Sequence, residues 1–365
     1  MTPDLFSPLE MRDVTAPNRV MVSPMCQYSC DDRDGLPTDW HRVHLGSRAV
    51  GGAGIVMTEA TAVEPRGRIS PEDTGIWSDE HVRAWQPITD FITEQGSIPA
   101  IQLAHAGRKA SKSRPWDGSA PVRPDACGWE TIGPSGTAWP YDAEAPPHRR
   151  MDTDDIEAVV ESFRAGAKRS LAAGFEIAEI HAAHGYLLHE FLSPATNDRT
   201  DEYGGSFEDR TRLLREVVTA VRDVWPDDKP VFVRISATDW IDDGESWTVE
   251  QSVRLAGDLF EAGVDLIDVS SGGIRPGSYP DADGPNYQVP FAERINEHTP
   301  AGLRVGAVGK ITTPEQADAI VANGRADLAI VGRELLRDPY FTIRAADALD
   351  ALDRVAVPPQ YDRAF

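Results

Sequence analysis

Short, strongly apolar runs return along the chain, and each is followed by a longer stretch whose apolar residues are spaced for a helix or give way to polar loop residues. The runs are Arg19 to Met25, Gly54 to Ala60, Ile98 to Ala104, Phe175 to His181, Pro230 to Ser236, Leu266 to Ser271, Leu303 to Gly309 and Leu328 to Gly332. Near-continuous Val, Ile and Ala runs are the pattern of parallel strands covered on both faces. The stretches between them carry helix signals. "DTDDIEAVVESFRAGAKRSLAAG" (152–174) opens on acidic residues, carries basic residues late and ends on Gly174, a C-cap candidate. "TPEQADAIVANG" (313–324) repeats that layout, with Pro314 in the first turn and Gly324 after the last. Eight alternations predict an α/β fold, a single (β/α)8 TIM barrel over residues 1–365. An open doubly wound sheet is the alternative, but no GxGxxG follows the first run.

Two segments stand outside the repeat. Residues 1–18, with Pro8 and an "APN" turn, read as a hairpin closing the barrel floor, and residues 351–365 as a C-terminal tail. Residues 106–150, rich in Gly, Pro and Ser and carrying Trp116, Trp129 and Trp139, form a long excursion after the third strand. A long loop at that end of a barrel strand reads as a lid.

Charge narrows the partners. The net charge is −23, from 36 basic and 59 acidic side chains, a field that repels nucleic acid and anionic membranes. Only five of the basic residues are lysine, and an acidic surface poor in lysine resembles proteins of salt-loving organisms, where salt screens the self-repulsion. No stretch approaches the roughly 20 apolar residues of a membrane span, and "MTPDLFSPLEMRD" lacks the basic and then apolar pattern of a signal peptide. The expectation is a cytoplasmic protein. Cys26, Cys30 and Cys127 form no CxxC pair, which argues against a disulfide framework and a structural zinc site.

Active sites of such barrels sit where strands end, so the residues just past each run carry the chemistry. In order they read "SPMCQY" (23–28), "TEA" (58–60), "QLAHAGRK" (102–109), "HAAHGY" (181–186), "RIS" (234–236), "SSGG" (270–273), "AVGK" (307–310) and "VGREL" (331–335). Gly309 and Gly332 end the seventh and eighth runs and Arg333 opens a helix, the usual position of a phosphate site in this fold. Tight turns alone would also use these glycines. Arg234 would point into the barrel mouth, where a buried cation needs an anion, either a ligand or Asp268 or Glu179. Gln102 can donate and accept toward a planar heterocycle, or serve only as a loop hydrogen bond. Cys26 reads equally as a small buried hydrophobe. His181 and His184 lack the carboxylates of a metal set, although His105 and His189 stand within sequence reach. A histidine pair aimed at one oxygen would polarise a carbonyl, and Tyr186 could supply a proton to a developing carbanion. Structural histidines beneath a loop remain an alternative.

Taken together, "SPMCQY", "QLAHAGRKAS", "IHAAHGYLLHEFLSPATNDRTDEYGGSFEDR", "VRIS", "DVSSGG" and "VGRELLRDPY" resemble the Old Yellow Enzyme family, in the branch with a cysteine after the first strand. The loop "RPWDGSAPVRPDACGWETIGPS" is similar to that of xenobiotic reductases. The resemblance covers nearly the whole chain. It implies FMN held by Ser23, Pro24, Met25, Cys26, Ala60, Gln102, Arg234, Gly309, Gly332 and Arg333. It also implies that NAD(P)H reduces the flavin, and that N5 of the flavin then gives hydride to the β-carbon of an α,β-unsaturated carbonyl. His181 and His184 would bind the carbonyl oxygen, Tyr186 would protonate the α-carbon, and Cys26 would tune the flavin. Tyr28 would contact substrate, and Arg363 would reach a neighbouring subunit's site in a homo-oligomer, a dimer or tetramer. No metal is implied, and His189 reads as structural. The departures are Gln27, Cys30 and the lid loop, which leave the natural substrate open.

Three other readings compete. A flavin-free phosphosugar aldolase or isomerase would keep the barrel and phosphate site, but Lys310 sits beside the phosphate position and no other lysine suggests a Schiff base. A non-catalytic barrel would have no reason to keep Cys26, His181, His184, Tyr186 and Arg234 together. A dienoyl reductase would need an iron–sulfur cysteine cluster that this chain lacks.

Overall fold

The computed structural model describes residues 3–280 and 284–364. Met1 and Thr2 of the expected floor segment and Phe365 of the tail lie outside the described residues. Eight strands form a closed barrel: β1 (Val20–Val22), β2 (Ile55–Ala62), β3 (Ile98–Ala104), β4 (Ile177–Ala182), β5 (Val231–Ser236), β6 (Leu266–Ser270), β7 (Arg304–Ala307) and β8 (Leu328–Val331). Every neighbouring pair is parallel, and β8 closes on β1 with Ala329 opposite Val20. Each of the eight apolar runs thus overlaps one barrel strand.

Helix caps follow the sequence signals. Asp152 caps the helix Thr153–Ala172 by accepting from the Asp155 amide, and Thr313 caps Pro314–Ala322 in a reciprocal box with Gln316. No helix among the described residues is long and apolar enough to cross a membrane.

The β2 run was expected to end at Ala60. The strand continues to Ala62 after a register shift between Met57 and Ala60. The polar residues that suggested an end are satisfied inside the protein. Thr58 and Thr61 share hydroxyl contacts, and Glu59 stands 3.0 Å from buried His41.

Period-two alternation stacks the barrel interior in layers. Ile177, Phe232, Leu266 and Ala100 lie in the floor cluster, together with Leu9, Met11 and Ala16 of an antiparallel hairpin (Leu9–Met11 with Val14–Ala16). Two residues further along the same strands come Glu179, Arg234, Asp268 and Gln102, all buried. Two further again stand His181, Ser236, Ser270 and Ala104 at the mouth. An apolar floor therefore supports a charged middle layer and a polar rim.

Residues 106–150 are ordered around the mouth. They contain short 3-10 turns and a two-stranded parallel piece, Thr131–Gly133 with His148–Arg150. Trp129 donates to the Arg66 carbonyl at 2.8 Å, and Trp139 lies over Lys109 at 4.6 Å. Trp116 meets Tyr28 edge-on at 5.9 Å and is 62% exposed.

Candidate active site

The turn after β4 is built from two left-handed residues, His184 (φ +61°) and Gly185 (φ +69°). A Cβ on Gly185 would stand 2.1 Å from the Gly273 carbonyl oxygen, so only glycine fits there. His184 has no such freedom, and a side chain held in this region marks a position the surroundings determine. Its amide donates to Ser236 Oγ at 2.9 Å, and Lys109 Nζ donates to its carbonyl at 2.7 Å.

The imidazoles converge. His184 Nδ1 stands 3.4 Å from His181 Nε2, and the rings meet edge-on. The outer nitrogens fix the tautomers. His181 Nδ1 accepts from the Ala183 amide at 3.3 Å, which leaves the proton on Nε2. His184 Nε2 is 2.7 Å from Ser270 Oγ, whereas the alternative acceptor for that hydroxyl, Gln288 Oε1, is 3.3 Å away and already takes Ser271 Oγ at 2.6 Å. Ser270 therefore donates to His184, and the His184 proton sits on Nδ1. Burial, followed by the Arg234 charge, pushes both imidazoles well below 6.5, so both are neutral at physiological pH. Two N–H groups facing each other cannot bond one another. They need an external acceptor.

Tyr186 stands beside them, edge-on to His181 at 5.2 Å, with Lys109 Nζ 4.8 Å from its ring centre. Burial pushes its phenol up, so it keeps its proton. Lys109 itself is lowered to about 7 by burial. Cys26, Tyr28 and Tyr186 pack on the apolar group Ala60, Ile69, Ala104, Ala106 and Ala110. Burial pushes the Cys26 thiol up, so the sulfur is a neutral thiol.

Below the rim, Gln102 Nε2 donates to Glu179 Oε1 at 2.7 Å, and Arg234 lies 3.3 Å from both Asp268 Oδ2 and Ser23 Oγ. Burial pushes the Glu179 carboxyl up, and the Asp268 charge adds to this. Arg234 thus has the protein anion that the plainest reading of its position foresaw, though at a distance that leaves it open to a further acceptor.

A cavity of about 320 Å³ opens beside Arg234 and is lined by Ser23, Met25, Ser270, Gln288, Val308 to Thr312, Gly332 and Arg333. Its volume is that of a small-molecule site. Gly309 has φ +136°, a backbone conformation that favours glycine and brings the main chain to the cavity wall. These features fit FMN. Gly309, Gly332 and Arg333 would take its phosphate, with Lys310 on the same wall, and the Arg234 guanidinium would face the polar edge of its ring, with Gln102 in the layer beneath.

Most residues singled out from sequence gather here. Ser23, Met25, Arg234, Gly309, Gly332 and Arg333 line the cavity, while half-buried Pro24 lies in the segment between β1 and Cys26. Arg363 does not join them: it lies on the exposed tail and is not among the lining residues. His105 pairs with Glu64 at 2.9 Å and His189 with Asp239 at 3.0 Å, which makes both structural. Sequence reading missed the part of Ser270, although "SSGG" was marked as a strand end, and that of Gln288, which carries no local signal.

The sequence matches the model of the NADH:flavin oxidoreductase / NADH oxidase family over residues 4–351. It is 46% identical to an NADPH dehydrogenase of Geobacillus thermodenitrificans (99% of this chain, 98% of that one) and 44% identical to one of Bacillus subtilis over the full length of both. Among solved structures it resembles the old yellow enzyme homologue from Zymomonas mobilis (TM-score 0.78, 28% identity, 98% of each chain). It also resembles morphinone reductase in complex with tetrahydroNAD (TM-score 0.74, 28% identity, 96% of this chain, 91% of that one). These matches leave no room for a flavin-free aldolase. The chain belongs to the NADH:flavin oxidoreductase / NADH oxidase family and is an NAD(P)H-dependent flavin oxidoreductase that uses FMN.

Proposed function

We propose that the chain is an ene-reductase acting on α,β-unsaturated carbonyl compounds. The observation that carries this is the convergence of two buried imidazoles beside Tyr186, with His184 Nδ1 3.4 Å from His181 Nε2. FMN, held by Arg234, Gly309, Gly332 and Arg333, would supply the hydride chemistry between NAD(P)H and the substrate β-carbon. The protein's own residues do the rest. His181 and His184 donate to the carbonyl oxygen and stabilise the enolate-like charge that grows there. Tyr186, protonated and adjacent, gives its proton to the α-carbon. Cys26 and Tyr28 wall the substrate space, and residues 106–150, over the mouth of this one FMN-binding domain, act as its lid.

The names of the Bacillus and Geobacillus relatives make NADPH the reductant to test first. Exposed Trp40, Leu336 and Tyr361 and the tail carrying Arg363 support a homo-oligomer, checked by sedimentation. The test of the reaction is kinetic. Tyr186→Phe should slow reoxidation by an enone and spare flavin reduction by NADPH, and His181→Ala or His184→Ala should weaken binding of phenols. Equal phenol affinity in wild type and both histidine variants would remove them from the carbonyl site.

A further inference from the structure

Asp73 lies in the loop after β2, is 1% exposed, and its Oδ1 has no hydrogen-bond partner. Its other oxygen is fixed: Oδ2 accepts from the Ile69 amide at 2.6 Å and the Ser70 amide at 3.2 Å. The carboxyl is therefore locked in orientation with one oxygen unused, a costly state for a buried group unless something meets it. Asp73 borders a small cavity of about 10 Å³ that Tyr186 also lines, the other walls being Ala60, Ala62, Gly67, Ile69, Ala104 and Ala106. That volume is close to the roughly 10–15 Å³ needed for one water. The only polar side chains offered to such a water are those of Asp73 and Tyr186.

We propose that a single water in this cavity joins Asp73 to Tyr186 and that Asp73 returns a proton to Tyr186 after each turnover. The inference rests on Tyr186 being the proton donor. When Tyr186 gives its proton to the substrate α-carbon, the phenol O–H bond breaks and a phenolate remains. The cavity water then gives a proton to the phenolate oxygen and takes one from the Asp73 carboxyl. The resulting carboxylate is reprotonated from solvent once product leaves. Asp73 is not among the residues lining the cavity beside Arg234, and it acts through Tyr186.

The charge environment agrees. Burial, then the charge of Glu59, pushes the Asp73 carboxyl up to about 8, so at neutral pH it has a proton to give. Arg68 and the two amides oppose that shift without reversing it. Cys26, Tyr28, Cys30 and Lys112 also lie within electrostatic reach of Asp73; the first three are held neutral by burial, and burial lowers Lys112.

Asp73→Asn tests the relay. The amide oxygen can still accept from Ile69 and Ser70, but the NH₂ group cannot release a proton at neutral pH. Steady-state enone reduction by the FMN-loaded variant should fall at least about tenfold relative to its first turnover measured by stopped flow. The wild-type rate should fall as pH rises through about 8, and the variant should lack that limb. Infrared difference spectra of wild type should lose a protonated carboxyl band over the same pH range, and the variant should have no such band. Ala106→Val, which fills the cavity and leaves Asp73 in place, should reproduce the steady-state loss and serves if the Asn variant does not fold. An unchanged ratio of later to first turnovers, or an infrared band that persists in Asp73→Asn, would overturn the relay. If instead Tyr186→Phe leaves the first turnover as fast as wild type, the donor assignment itself falls, and the relay with it.

Discussion

Replacing Ser270 by alanine isolates the tautomer argument from the histidines themselves. In the native site the Ser270 hydroxyl, 2.7 Å from His184 Nε2, holds the proton on Nδ1 and directs it at the substrate oxygen. Without that hydroxyl, His184 Nε2 is a buried nitrogen with no partner, and the ring gains by protonating Nε2 and turning a lone pair toward the substrate. A lost neutral hydrogen bond costs about 1 kcal/mol and an orphaned buried group up to about 3 kcal/mol, which predicts roughly 5- to 150-fold weaker binding of a phenol whose oxygen stands in for the enolate. The assay is a titration of FMN-loaded enzyme with the phenol, followed by flavin absorbance. Ser270→Thr, which keeps the hydroxyl, should restore much of the affinity. Wild-type affinity in Ser270→Ala would mean that the His184 proton is placed by something else, and the two-donor account would have to be given up.

Asp239 accepts from Ser193 Oγ at 2.6 Å and the Trp247 amide at 2.7 Å and faces His189, whose Nδ1 in turn receives the Gly185 amide at 2.8 Å. Asp239→Ala should cost about 3–5 kcal/mol in urea unfolding, because a buried partner is stranded, and a shift below about 1 kcal/mol would refute the pairing. Acid should destabilise the fold: His181, His184 and His44 have folded values below the ordinary 6.5, so the unfolded chain takes up protons first and stability falls as pH drops below 6.5. Melting temperatures that stay level from pH 7 to about 5 would contradict that sign. The net charge of −23 predicts a melting temperature that rises with added KCl as repulsion is screened, and a melt equally high in dilute buffer and concentrated salt would remove the halophilic reading.

The barrel was legible because burial on both faces forces near-continuous apolar strands, a pattern that survives without any knowledge of pairing. Strand ends were legible only where polarity coincides with exposure. At β2 it does not: Thr58, Glu59 and Thr61 are polar yet buried, their partners including one another and His41, Gln27 and Gln102 from other segments. The same reason separates what was seen at the site from what was missed. His181, His184 and Tyr186 stand within six residues, so their juxtaposition is local and readable. Ser270 lies 86 residues from His184 and Asp73 more than a hundred from Tyr186, and only closure of the barrel brings each pair together. A serine and an aspartate are common enough that nothing in their own neighbourhoods marks them. What marks Ser270 is its hydroxyl 2.7 Å from His184 Nε2, and what marks Asp73 is an oxygen left without a partner; both become visible only once every hydrogen bond around them is placed. The sequence therefore names the groups that meet substrate, while the groups that set their protons are found by following the buried polar atoms to the partners they have or lack.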